Sequence, residues 1–178
     1  MATSKHHSTM TALHERHHRP NNSAAAHKAV LYKTSEFIGI VHFLTAWLMQ
    51  RHVPLPSIPG NFAMYLGLML CCLGACWIRW VHVELSRYKQ PHQPGIPTTV
   101  LVTTGPFATM RHPTYASILL CIVPGLAMSI ANPWVIILNP VAFVAFEYIL
   151  IQEEEKYLQS LFGKKWIDYC KRTPRWIY

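Results

Sequence analysis

Charged side chains are scarce in this chain. Asp, Glu, Lys and Arg make up 13% of its 178 residues, against 51% hydrophobic, a balance foreign to an ordinary water-soluble domain. The apolar residues come in blocks, so the expected class is an all-α integral membrane protein, and the length suits one domain. Acidic residues are the rarest charges, 8 against 16 Lys and Arg, for a net charge of +8. The basic residues are divided among separate loops and tails instead of sharing one face, which argues against nucleic acid as a partner. No strand–Gly-rich turn–helix unit occurs, which excludes a Rossmann-type nucleotide site. No His/Cys/Glu cluster has metal-ligand spacing, so no metal is expected. Cys71, Cys72, Cys76, Cys121 and Cys170 show no paired spacing, and four of them lie in apolar blocks as small packing residues. Cys170 is too far from the C-terminus for a prenylation box. No apolar h-region follows Met1, so no cleavable signal peptide is expected.

Residues 1–28 hold His6, His7, His14, His17, His18 and His27 among Ser, Thr, Asn and Ala. With almost no large apolar residue to build a fixed site, they read as a disordered polar tail ahead of a membrane domain at 29–178. Four spans are expected, at 36–50, 61–83, 114–131 and 134–151. The first is short for a bilayer, and 29–32 extend it outward with Lys33 snorkelling. Pro54, Pro56 and Pro59 make 51–60 a tight non-helical connection, and a polar loop with three prolines fills 84–99. Gly67, Gly74 and Ala75 let a neighbouring helix approach the second span closely. Asn132-Pro133 joins the last two spans as a minimal hairpin turn. Within that hairpin, Pro124-Gly125 and Asn139-Pro140 are expected to kink or open the helices and free carbonyls that need a partner. Residues 152–178 are amphipathic, with a break at Gly163, and should lie along the membrane surface over the ends of the spans. The 51–60 turn carries one Lys or Arg and the 132–133 turn none. The other fifteen of the 16 therefore place both termini and the loop before span three in the cytosol.

The chain reads as arranged around 103–115, TTGPFATMRHPTY. Gly105-Pro106 and His112-Pro113 each start a helix, with His112 at an N-cap position beside backbone N–H groups that lack an intrahelical acceptor. Arg111, His112 and Tyr115 thus gather at a helix N-terminus. That arrangement suits a ligand, and it equally suits a capped re-entry turn whose Arg meets lipid phosphate. Glu147 lies inside the fourth span, where an ionisable group either contacts a ligand or is paired, for instance with Arg79. Glu153, Glu154 and Glu155 stand where that span meets water. Glu154 is two helical turns past Glu147 and should share its face at roughly 10 Å. Carboxylates there oppose the helix dipole, so a cation is expected nearby, either Lys/Arg of the tail or a cationic ligand.

Together, 101–105, 111–115, Asn132-Pro133, Glu153-Glu154, Phe162-Gly163 and Tyr169 resemble the isoprenylcysteine carboxyl methyltransferases and the related bacterial, archaeal and phospholipid methyltransferases of membranes. The resemblance covers about 99–175. It implies an S-adenosylmethionine cofactor at the cytosolic end of the bundle, held by Thr99, Val100, Leu101, Val102, Phe107, His112, Pro113, Thr114, Tyr115 and Glu154. Phe107 stands where the family commonly has tyrosine, and His92 is a further candidate contact. Catalytic candidates are Arg111, His112 and Glu147. The implied reaction is methyl esterification of a prenylcysteine carboxylate in the endoplasmic reticulum, with the bilayer and a prenylated protein C-terminus as partners. A departure is Leu150, where the prenylcysteine enzymes carry a substrate-binding arginine. Phospholipid amine N-methylation is the alternative. The ending 163–178 also resembles NADPH-dependent sterol reductases, and a non-catalytic membrane scaffold is a third reading.

Overall fold

The computed structural model describes residues 22–56, 60–91 and 98–176, whose regular elements are all helices, with no strand among them. Residues 1–21 of the tail expected at 1–28, and His92, lie outside the described residues. Helix α1, Asn22–His52, begins inside the segment expected to be tail, where Ala24, Ala25 and Ala26 favour helix. Next come α2, Gly60–Arg87, and one turn, α3, Pro106–Thr109. Helix α4 spans Pro113–Ser129 and α5 spans Pro133–Phe162. After Gly163, at φ +52, α6 runs Lys164–Arg172.

Four spans were expected, yet two helices among the described residues are long and apolar enough to cross a membrane: α2 and α5. Helix α4 is apolar but shorter, and in α1 the charges Lys28, Lys33 and Glu36 interrupt the apolar run. The apolar part of α5 ends at Ile151, and the same rod continues as the charged segment Gln152–Phe162. A glycine with positive φ then turns the amphipathic α6 back beneath the bundle.

Helices α2 and α4 touch along small residues. A Cβ on Gly67 would lie 2.5 Å from the Gly125 carbonyl oxygen, and one on Gly125 would lie 2.7 Å from Gly67 O and Cys71 Sγ. Ser117, fully buried, donates to Gly74 O at 2.9 Å. Gly67→Val is expected to lower the unfolding free energy by ~1–3 kcal/mol, the cost of overpacking a closed seam, read as a lower thermal midpoint in nanodiscs.

The carbonyl freed at Pro124 has a partner. The Val123 N–H bonds to Ile118 O in a wide π-type turn over Ile118–Ile122, and Pro124 has no N–H to offer. Leu119 O therefore has no helical donor, and Asn139 Nδ2 supplies one at 2.9 Å. Asn132 caps α5 by accepting from Trp134 N at 3.1 Å, and its amide donates to Ala46 O at 3.3 Å, tying the hairpin to α1. Ala46, Val123, Ala127 and Val135 form the core at that junction. A second apolar cluster, of Leu119, Phe146 and Leu150, lies toward the other end and packs against Tyr115, Phe143 and Trp176. Leu150 is 1% exposed there, in a setting with no room for a charge.

Candidate active site

Residues 98–104 have no regular structure, and two buried side chains hold them, Glu84 near the end of α2 and Gln90 just after it. The Gln90 carboxamide oxygen accepts from Thr99 N at 2.8 Å and Val100 N at 3.2 Å, while its nitrogen donates to Tyr88 O at 2.9 Å. Glu84 takes the Thr104 hydroxyl and Arg87 Nη1. Gly105, at φ +58, lies so close that a Cβ would sit 2.8 Å from the Glu84 carboxyl carbon. Gln90→Ala is expected to raise amide exchange at Thr99 and Val100 by about tenfold, as each loses an acceptor worth about 1 kcal/mol, measurable by hydrogen–deuterium exchange.

From there the chain reverses through α3, whose Phe107 O accepts from the Tyr169 hydroxyl at 2.6 Å. Burial pushes that phenol's pKa well up, so it stays a donor. His112 occupies the N-cap position of α4, as its proline neighbour dictates, but makes no side-chain cap bond. Its ring instead turns toward α5, with Nε2 3.1 Å from Glu155 Oε1 and Nδ1 4.0 Å from Glu154 Oε2. Tyr115 and Trp176 flank the ring at centroid distances of 5.9 and 6.2 Å. Arg111 Nε lies 3.1 Å from Glu155 Oε1, and the guanidinium sits 5.9 Å from the Trp166 ring centre.

The face shared with Glu147 differs from the expectation. A second wide turn, Phe146–Ile151, adds about one residue to the two turns that follow Glu147, so Glu155 comes onto its face and Glu154 rotates away. Arg175 bridges the resulting pair: Nη1 bonds to Glu147, while Nε (3.1 Å) and Nη2 bond to Glu155. Trp176 Nε1 donates to Glu147 Oε2 at 3.0 Å. The charge partner of Glu147 is thus Arg175, with Arg79 exposed elsewhere. Burial alone would raise the Glu155 pKa, but hydrogen bonds from His112 and Arg175 and the Arg111 charge hold it at about 2. Because it is depressed, the stabilisation is full above the ordinary value of 4.5 and is lost as pH falls toward 2.

Glu154 faces a cavity of about 330 Å³, within the size range of small-molecule sites. Of the residues expected at a site, Val100, Leu101, Val102, Phe107, Arg111, His112, Pro113, Thr114, Tyr115 and Glu154 line it. Thr99 and Glu147 do not: Thr99 is pinned outward by Gln90, and Glu147 sits behind His112. Leu31, Ser35 and Ile118, where α1 meets α4, also line it, as do Leu158, Phe162, Trp166 and Tyr169. Glu154 Oε2 is buried without a hydrogen-bond partner, the His112 nitrogen being too distant. A buried carboxylate oxygen left unsatisfied at a cavity wall is costly unless a cation arrives, so the residues present fit a positively charged ligand with an apolar or aromatic body. Glu84, Gln90, Glu155, Arg175 and Trp176 were not singled out as site residues from sequence. The glutamate run and the expected tail cation were the available signals for Glu155 and Arg175.

An all-helical bundle whose ligand cavity combines a cation-seeking carboxylate with apolar walls defines the class of this protein. The chain belongs to the phospholipid methyltransferase family, whose profile matches residues 62–165. It is similar to protein-S-isoprenylcysteine O-methyltransferase B of Arabidopsis thaliana, 32% identical over 102 residues, covering 53% of this chain and 44% of that protein. It is also similar to probable protein-S-isoprenylcysteine O-methyltransferases of the indica and japonica subspecies of Oryza sativa, each 26% identical over 128 residues, covering 63% of this chain and 59% of theirs. The chain thus spans about half the length of the relatives it matches. No solved structure matches it.

Proposed function

We propose that this protein is an S-adenosylmethionine-dependent membrane methyltransferase that esterifies the terminal carboxylate of prenylcysteine. The observation that carries the reading is the unpartnered Glu154 oxygen in the cavity wall. An S-adenosylmethionine donor supplies an electrophilic methyl on a cationic sulfur. Glu154 would neutralise that charge, the flat apolar surface of Val100, Leu101, Val102 and Phe107 would bear the ring system, and His112, Pro113, Thr114 and Tyr115 would close the opposite wall. An α-carboxylate of ordinary pKa near 3.5 is ionised at neutral pH and needs no base. The chain's own contribution is then positioning and exclusion of water. The limb of the cavity at Leu31, Ser35 and Ile118 is where a prenyl chain would enter from the bilayer. Four spans, with both termini and the cavity toward the cytosol and the endoplasmic reticulum as host membrane, complete the reading.

A second acceptor, a phospholipid amine, is favoured by the matched family's description and by Leu150 in place of a cation. Such an amine must lose a proton before it attacks, which gives the site carboxylates a different task. Membranes carrying the protein, supplied with methyl-labelled S-adenosylmethionine and a farnesylcysteine analogue, should yield a product whose label alkali releases as methanol. Alkali-stable label on lipid would assign the amine, and no transfer to either would reject the methyltransferase reading.

A further inference from the structure

Three consecutive residues near the C-terminus engage the site from behind. Pro174 O accepts the Arg111 N–H at 2.9 Å, Arg175 joins Glu147 to Glu155, and Trp176 packs on His112 and Phe143 at 6.2 and 4.8 Å. None of the three lines the cavity. Their effect on the cavity runs through His112, whose Nε2 is held by Glu155 and whose Nδ1 faces Glu154. Were Glu155 to turn or take up a proton, the ring would lose the acceptor that fixes its orientation, and the wall opposite Glu154 would loosen. We propose that Arg175 is a positioning residue that keeps Glu155 ionised and aimed at His112, with Glu147 anchoring the far side of its guanidinium. As a role in methyl transfer, this rests on the reading of the cavity as a methyl-donor site; as an ion-pair role, it does not.

The geometry separates this from a mere tether. One planar guanidinium addresses two carboxylates on a single face of α5, and the wide turn at Phe146–Ile151 is what brings them into line. A lysine keeps the charge but cannot span both in the same fork. The groups facing Glu155 are Arg111 and His112 from the chain before α4 and Arg175 from the tail. Tyr169 and Cys170 of α6 and Glu154 on its own helix lie nearby. Without Arg175, burial of Glu155 is opposed by His112 and Arg111, so its pKa rises from its depressed position.

The test uses the full chain in nanodiscs, as wild type, Arg175→Met, Arg175→Lys and the double variant Arg175→Met/Glu155→Gln. Infrared spectra between about pH 7 and about pH 5 should show a protonated carboxyl band in Arg175→Met, absent from wild type and from the double variant. Methyl transfer by Arg175→Met should show a KM for S-adenosylmethionine raised about tenfold near pH 5.5 and less at pH 8, with Arg175→Lys recovering most of it. If Arg175→Met does not fold, Arg175→Gln, which is polar and uncharged, should show the same band. A missing band, or one that survives Glu155→Gln, overturns the proposal, as does a KM penalty equal at every pH. A wild type that shows the expected infrared pattern among its variants but transfers no methyl would reject the donor-site reading and leave the ion-pair role supported.

Discussion

Glu154→Gln should weaken S-adenosylmethionine binding by about 100-fold, a loss of about 2.8 kcal/mol at about 1.4 kcal/mol per decade. The substitution keeps the shape, removes the charge and exchanges one acceptor oxygen for an NH2 donor. Its Oε2 makes no hydrogen bond within the protein and has only the long 4.0 Å contact to His112 Nδ1, so little internal pairing is lost and the larger loss is in what the cavity can attract. That distinguishes Glu154 from Glu155, which is already bonded to His112 and Arg175. Calorimetric titration in nanodiscs checks the value. The penalty should be much smaller for S-adenosylhomocysteine, which has the same body without the sulfonium charge. Equal penalties for both ligands would mean that Glu154 acts on shape and not on charge.

His112→Ala should lower kcat/KM for methyl transfer by about 100- to 1,000-fold, the range expected when a hydrogen-bonded buried charge loses its partner at a site. The ring is 5% exposed and fills the space between Tyr115 and Trp176, so its removal opens a gap and deprives Glu155 of a donor. Thermal stability should fall as well. His112→Asn, which retains a short polar side chain, should recover part of the stability and less of the activity. Steady-state kinetics with labelled donor beside a melting curve separates the two effects. A variant with lowered stability but unchanged kcat/KM would remove His112 from the site.

Local chemistry made much of this legible in the sequence. His112-Pro113 and Asn132-Pro133 each open a helix where the proline requires, and Gly163 breaks the last rod because it takes a positive φ. Gly67, Gly74 and Ala75 announced a close helix contact; the structure places it between α2 and α4 at Gly67 and Gly74, against Gly125 and Ile122, with Ala75 exposed. Ten of the twelve residues expected at a site line one cavity. What escaped depends on register and on the chain folding back. An ideal 3.6-residue period puts Glu154 on the face of Glu147, and nothing in the residues 146–151 announces the wide turn that substitutes Glu155. The length of α1 was misjudged because its first turns are built from alanine and polar residues, which show no apolar period. Arg175 is one basic residue among sixteen, and only the return of the tail beneath α5 marks it. Leu150 was visible as a departure, but its burial against Leu119 and Phe146 is what shows that this helix offers no cation at that position.

The central claim is that a cationic methyl donor sits in the cavity that His112, Tyr115 and Glu154 line together, with its charge on Glu154. An experimental structure of the protein with S-adenosylmethionine tests it most directly. The account predicts the donor within the cavity, with its sulfonium or α-amino nitrogen within about 4–6 Å of the Glu154 carboxylate, the range over which opposite charges act strongly. A donor bound elsewhere, or one in the cavity with its charged groups turned from Glu154, would contradict it.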